Sequence, residues 1–165
     1  MSHFTFSFDP QLALDTSIQA MTSATTRVNQ TDDPQKAFIA IGESVWWITI
    51  VNDNLRTEAL YQATISTNAH LNVTLAGLRS VRNRIGHEVN LVDFVNLEAK
   101  RPDQYGDGRI AAWSWNFVPP PKATRRAAVA DYRAYDSALA GRNVVEAFSH
   151  AQGFLEYVRA NRTIP

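Results

Sequence analysis

The chain has 165 residues, no cysteine and a formal net charge of zero. This length allows one domain with a core of its own. The composition excludes disulfides, thiolate catalysis and cysteine-ligated metals, and the neutral balance argues against a protein that coats nucleic acid through bulk charge.

No apolar run approaches the roughly eighteen residues of a membrane span. The N-terminal MSHFTFSFDP lacks a basic region followed by an apolar core, so it does not read as a signal peptide. A cytoplasmic protein is expected.

His3 to Asp9 alternates Phe4, Phe6 and Phe8 with small polar residues, the pattern of a half-buried strand. Trp113, Trp115 and Phe117 alternate in the same way, and the two segments are expected to pair as a small ribbon. Pro119 to Pro121 then end the second strand. Leu12 to Met21 could form a short helix, and the polar stretch from Thr22 to Thr31 reads as a connector.

Asp33-Pro34 is a helix start, an acidic cap followed by proline at the first helical position. The helix is expected to run to about Tyr61. Its inward stripe would hold Phe38, Ile41, Val45, Ile48, Asn52, Leu55 and Ala59. Asn52 stands where a hydrophobe is due. Trp46 and Trp47 require cover on both flanks, from the bundle, the ribbon or a second subunit.

The spacing of Leu71, Leu75, Leu78, Ile85, Val89 and Val92 predicts a second long helix, extending to about Leu97. Arg82 falls on that stripe between Leu78 and Ile85. A buried guanidinium is costly unless it is paired or faces a wet cleft. From Ala59 through His87 there is no Asp or Glu, while Arg79, Arg82 and Arg84 all lie there. A local positive site of this kind suits one or a few phosphates, although arginines on a helix can equally form a solvated face.

The loop Arg101 to Arg109 is rich in turn formers, and Asp103 and Asp107 lack calcium-loop spacing. Lys122 to Tyr135 is a third predicted helix. Asn143 to Glu146 is a capping box that opens the last, with Val144, Phe148, Ala151, Leu155 and Val158 inward. The reading is all-α: an antiparallel four-helix bundle with a two-stranded ribbon from the N-terminus and residues 112–118. It forms one domain over residues 1–165, with a helical core over about 33–160.

Arg82, Asn83 and His87 carry the chemistry. Histidine can give or take a proton near neutral pH. A guanidinium binds phosphate bidentately and stabilises charge growing on its oxygens. Asn83 can orient either group. These parts suffice for metal-free RNA cleavage with the 2′-hydroxyl as internal nucleophile, and no cofactor enters. In a straight helix Arg82 and His87 differ by roughly 140°. A bent arginine stem, a distortion at Gly86 or a two-fold axis joining two copies would reconcile them. Asn52 could meet Arg82 or bond to backbone instead. Arg79 and Arg84 are candidate substrate contacts. His3, His70 and His150 are scattered and read as structural or surface residues.

The stretch LRSVRNRIGHEVN resembles the signature of HEPN domains, small helical bundles whose motif is an arginine, commonly followed by asparagine, with a histidine four to six residues beyond. Here that reads Arg82-Asn83-Arg84-Ile85-Gly86-His87. The resemblance extends loosely from the helix at Asp33 to the one ending at Ala160. It implies a homodimer with a composite cleft, and often a metal-independent endoribonuclease that serves as a toxin or defence nuclease and has a neutralising antitoxin partner. Arg82 would then hold the scissile phosphate, His87 act as acid or base, and Asn83 position them. Asn52, with Glu43 and Asp53 in reserve, would assist from the first long helix. Two alternatives stand beside it: a non-catalytic HEPN-like bundle that dimerises or binds a nucleotide or partner, and a plain helical bundle in which Arg82 is a buried ion-pair residue.

Overall fold

The computed structural model describes residues 9–85, 87–97, 100–102, 109–111, 113–122 and 125–162. Most of them are helical. The elements in order are α1 (Pro10–Gln30), α2 (Pro34–Leu55), α3 (Ala59–Thr67), α4 (Ala69–Arg84), α5 (Leu91–Phe94), β1 (Val95–Asn96), β2 (Lys100–Pro102), β3 (Arg109–Ala111), β4 (Ser114–Trp115), α6 (Arg126–Ala138) and α7 (Val144–Asn161). None of the described helices is long and apolar enough to cross a membrane.

The first two helices start by the same device. Asp9 and Asp33 each cap the free N–H groups of the following turn, and Pro10 and Pro34 occupy the first position, where no N–H is needed. The expected connector at Thr22 to Thr31 is therefore mostly helix, since α1 continues to Gln30. Its hydroxyls do not break it. Thr25 donates to the carbonyls of Met21 and Thr22, so its polar group is satisfied inside the helix.

The expected helix from Asp33 to Tyr61 divides at Leu55 into α2 and α3, and Ala59 is exposed rather than inward. Helix α2 is central. It packs against α1, α4 and α7 and buries Ile41, Val45, Ile48, Val51 and Leu55. Asp15 pairs with Arg159, Thr22 with Glu156 and Thr25 with Gln152, so α1 and α7 run antiparallel. Every residue expected on the inner stripe of α7 is buried: Val144, Phe148, Ala151, Leu155 and Val158.

Helices α4 and α6 also run antiparallel and lie close together. A Cβ added at Gly77 would sit 3.1 Å from the Tyr135 backbone and 3.0 Å from the Leu139 side chain, so a larger residue would press the two helices apart by a few tenths of an ångström. Seven helices occur among the described residues, not the four of the expected bundle: α1, offered as a short helix over Leu12 to Met21, is long, and α3 and α5 are short.

The ribbon differs from expectation. Trp115 pairs antiparallel with Val95, and Ser114 with Asn96. The expected partner strand, with Phe4, Phe6 and Phe8, lies outside the described residues. Alternation identifies a strand but not its partner, and the true partner fell inside a segment read as helix. Trp115 is buried against Tyr135 and Phe148. β2 and β3 form a second antiparallel pairing, with Arg101 opposite Ile110; Asp103 and Asp107 lie outside the described residues.

Candidate functional site

The site forms where α4 ends. The helix stops at Arg84, and Ile85 is extended, with φ −60° and ψ 128°. The Arg84 carbonyl then accepts from three successive N–H groups, those of His87 at 3.2 Å, Glu88 at 3.1 Å and Val89 at 3.3 Å. Asn90 and Asp93 cap each other's backbone and open α5. His87 thus lies on a tight turn, not on a helix continuing to Leu97, and the roughly 140° separation of a straight helix does not apply. Asn90-Leu-Val-Asp93 is a start signal that the longer apolar periodicity masks.

The buried arginine is Arg84, not Arg82. After Leu78 the inward position is reached three residues on, at Val81, and three further at Arg84. The other helical step, four residues, had pointed to 82. Arg82 is only half-buried. Its guanidinium lies 5.0 Å from the ring centre of Trp46 on α2, and Nη1 donates to the Asn83 side-chain oxygen at 3.2 Å. No carboxylate pairs with Arg82 among the described residues. Asn83 and His87 are exposed. The chain therefore presents an uncompensated guanidinium, a carboxamide and an imidazole within six residues at one helix end.

The other candidates are engaged elsewhere. Arg79 donates to Asp131 through Nε at 3.0 Å and Nη2 at 2.7 Å, a bidentate pair. That hydrogen bonding to Asp131 raises the Arg79 pKa further. Arg84 pairs with Glu88 at 3.3 Å and is shut from solvent. Neither offers a free cation to a substrate.

Asn52 is buried, and its side-chain oxygen accepts the Tyr61 hydroxyl at 2.7 Å. On α2 it is Trp46, six residues earlier and about 9 Å away along the axis, that meets Arg82. Of the reserves, Glu43 is held by Arg27 and Asp53 by Arg56.

Two features went unread in the sequence. Glu88 accepts from the Lys122 backbone N–H at 3.3 Å and ties the His87 turn to the segment after the three prolines. Trp46 is 49 % exposed and Ile39, two turns earlier on the same face of α2, is 57 % exposed. An aromatic pair in the sequence signals this surface only as a need for cover.

A cleft of about 400 Å³ lies at the α1–α2 connection and is lined by Arg27, Asp33, Lys36 and Ile39 among others. Its cations are already paired, Arg27 with Glu43 and Lys36 with Asp33. Its lining includes Asp32 and Asp33 but no histidine. His70 and His150 meet edge to face at the other end of α4, with ring centres 5.6 Å apart. No group of three metal-ligating side chains occurs among the described residues.

No protein-family model, curated protein or solved structure matches the chain.

Proposed function

We propose that the protein is a HEPN-type, metal-independent endoribonuclease that works as a homodimer. The observation that carries this reading is the Arg82 guanidinium, which meets Asn83 but no carboxylate among the described residues, with the exposed His87 on the adjoining turn. A cation left without a carboxylate at a helix end, next to a histidine open to solvent, is suited to a phosphodiester.

In this reading Arg82 holds the non-bridging oxygens of the scissile phosphate. A neutral His87 takes the 2′-hydroxyl proton, the 2′-oxygen bonds to phosphorus, and the bond to the 5′-oxygen breaks. The leaving 5′-oxygen takes a proton from the second copy's imidazolium. The products are a 2′,3′-cyclic phosphate and a 5′-hydroxyl, with no oxidant, metal or cofactor in the balance.

The half-exposed Ile39–Trp46 stripe supports the dimer. It is an apolar surface beside Arg82, and a second copy lying on it would bring two motifs together. The HEPN-like reading takes α2 and α4 as its two central helices, with Arg82 at the end of α4 against Trp46 of α2. A toxin or defence role with a neutralising antitoxin belongs to the same proposal, as does action in the cytoplasm.

A second reading has one observation in its favour. Arg82 already rests on Trp46, and a cation stacked on an exposed indole can serve purely as an interface contact. The motif would then join two copies, or bind a nucleotide, without chemistry.

The test is cleavage of a mixed RNA pool in EDTA, with mapping of the product ends. Cyclic phosphate ends, lost when the 2′-hydroxyl at the cleaved position is replaced by hydrogen, are expected. A stable dimer that leaves the whole pool intact would favour the second reading.

A further inference from the structure

Two residues beyond Arg82, Arg84 is 6 % exposed. Its guanidinium lies 5.6 Å from the ring centre of Phe94 and 5.8 Å from that of Tyr132. Its Nη1 is buried and has no hydrogen-bond partner among the described residues. A buried charge with one nitrogen unsatisfied is an expensive way to fill this space, and a methionine would pack between the same rings without that cost. The position therefore calls for a reason other than stability.

The reason lies in what the side chain spans. Arg84 is the last residue of α4, and Glu88 lies four residues on, with His87 between them. One residue grips this turn twice. The Arg84 carbonyl holds the backbone of His87, Glu88 and Val89, and Nε holds the Glu88 carboxylate at 3.3 Å. The same Glu88 oxygen accepts from the Lys122 backbone, and the nearby Val118 carbonyl accepts from the Tyr132 hydroxyl at 3.2 Å. The turn is thus pinned to α4 and, through residues 118–122, to α6. His87 makes no side-chain hydrogen bond of its own among the described residues, so its direction is set by the turn that carries it.

We infer that Arg84 and Glu88 are positioning residues for His87: their ion pair spans the turn and fixes the imidazole relative to Arg82. This rests on the ribonuclease reading for its consequence in catalysis, but the effect on the turn can be measured separately.

The variant to make is Arg84→Met with Glu88→Leu, which removes both charges together. Two measurements are read: RNA cleavage kinetics, and amide hydrogen exchange at His87, Glu88 and Val89. With the fold retained, kcat is expected to fall ten- to a hundredfold while KM stays within about twofold, because Arg82 still holds the phosphate. Exchange at the three amides is expected to accelerate at least tenfold, and Arg84→Lys should restore most of both. Wild-type kcat together with unchanged protection in the double variant would overturn the inference. If the double variant does not fold, Glu88→Gln, which keeps the shape and loses the charge, is read by the same two criteria. If wild-type protein cuts no RNA, the ribonuclease reading falls and exchange alone decides. Accelerated exchange would uphold the pinning of the turn, and unchanged exchange would refute it.

Discussion

Two polar pairs, each with a buried member, sit at the ends of neighbouring helices, and they are built on different terms. At the end of α2, Asn52 and Tyr61 form a neutral pair joined at 2.7 Å. At the end of α4, Arg84 and Glu88 form a charged pair joined at 3.3 Å, with Nη1 unsatisfied. The neutral pair lets α2 turn into α3 with little electrostatic cost. The charged pair costs more, and it lies beneath the only turn that carries the motif histidine. A polar residue on an apolar stripe therefore has no fixed meaning. Its partner, charge and degree of satisfaction decide whether it is a joint or the support of a site.

The largest effect expected from disturbing this contrast is at Glu88. Glu88→Ala leaves Arg84 buried and uncompensated, and should cost about 3 kcal/mol in urea unfolding. Adding Arg84→Met to it should recover most of that loss. A cost below about 1 kcal/mol would mean that the guanidinium reaches water after all.

Next is Tyr61→Phe, which leaves the Asn52 oxygen buried without a donor. The expected loss is about 1–2 kcal/mol, with RNA cleavage unchanged. A selective fall in cleavage would return Asn52 to the site.

The neutral joint also responds to alkali. Burial raises the pKa of Tyr61, and it raises that of Tyr135 more strongly. A folded-state pKa above the unfolded value of about 10 gives stability that is whole below pH 10 and is lost as pH rises through the folded values. Unfolding free energy should therefore decline above about pH 10, and Tyr61→Phe should make that decline shallower. Equal slopes would contradict burial of the Tyr61 hydroxyl.

The smallest effect is expected at Trp46→Ala. Its contact with Arg82 is solvent-exposed, so the monomer should lose only about 0.5–1 kcal/mol. Light scattering then reports whether this indole joins two copies.

Much of the fold was legible because long amphipathic helices repeat their evidence. The α7 stripe and the Asp33-Pro34 start rest on several residues each, and a single odd residue does not mislead. Asp9-Pro10 carried the same signal as Asp33-Pro34, yet the hydroxyl-rich sequence after Met21 concealed how far α1 runs. Helix ends were less legible. A stripe advances by three or four residues, and at Leu78 that choice decides between Val81 with Arg84 and Arg82 alone.

The motif itself could be read because its spacing is local: Arg82 bonds to Asn83, and His87 lies on the turn that follows the helix. Trp46 beside Arg82, and Lys122 beside Glu88, are contacts across the chain, and no periodicity reports those. The same holds for Val95 against Trp115.

The central claim is that Arg82 and His87 cleave RNA without a metal. The most direct measurement compares wild type, Arg82→Ala and His87→Ala on a mixed RNA pool in EDTA, after light scattering and thermal unfolding establish the same fold and oligomeric state. Arg82 is half-buried and His87 exposed, and neither belongs to the core, so folding should survive. The expected result is cleavage by wild type and a loss of at least about a hundredfold in each variant. Cleavage that persists in both variants at the wild-type rate, or that wild type achieves only with an added divalent ion, would contradict the claim.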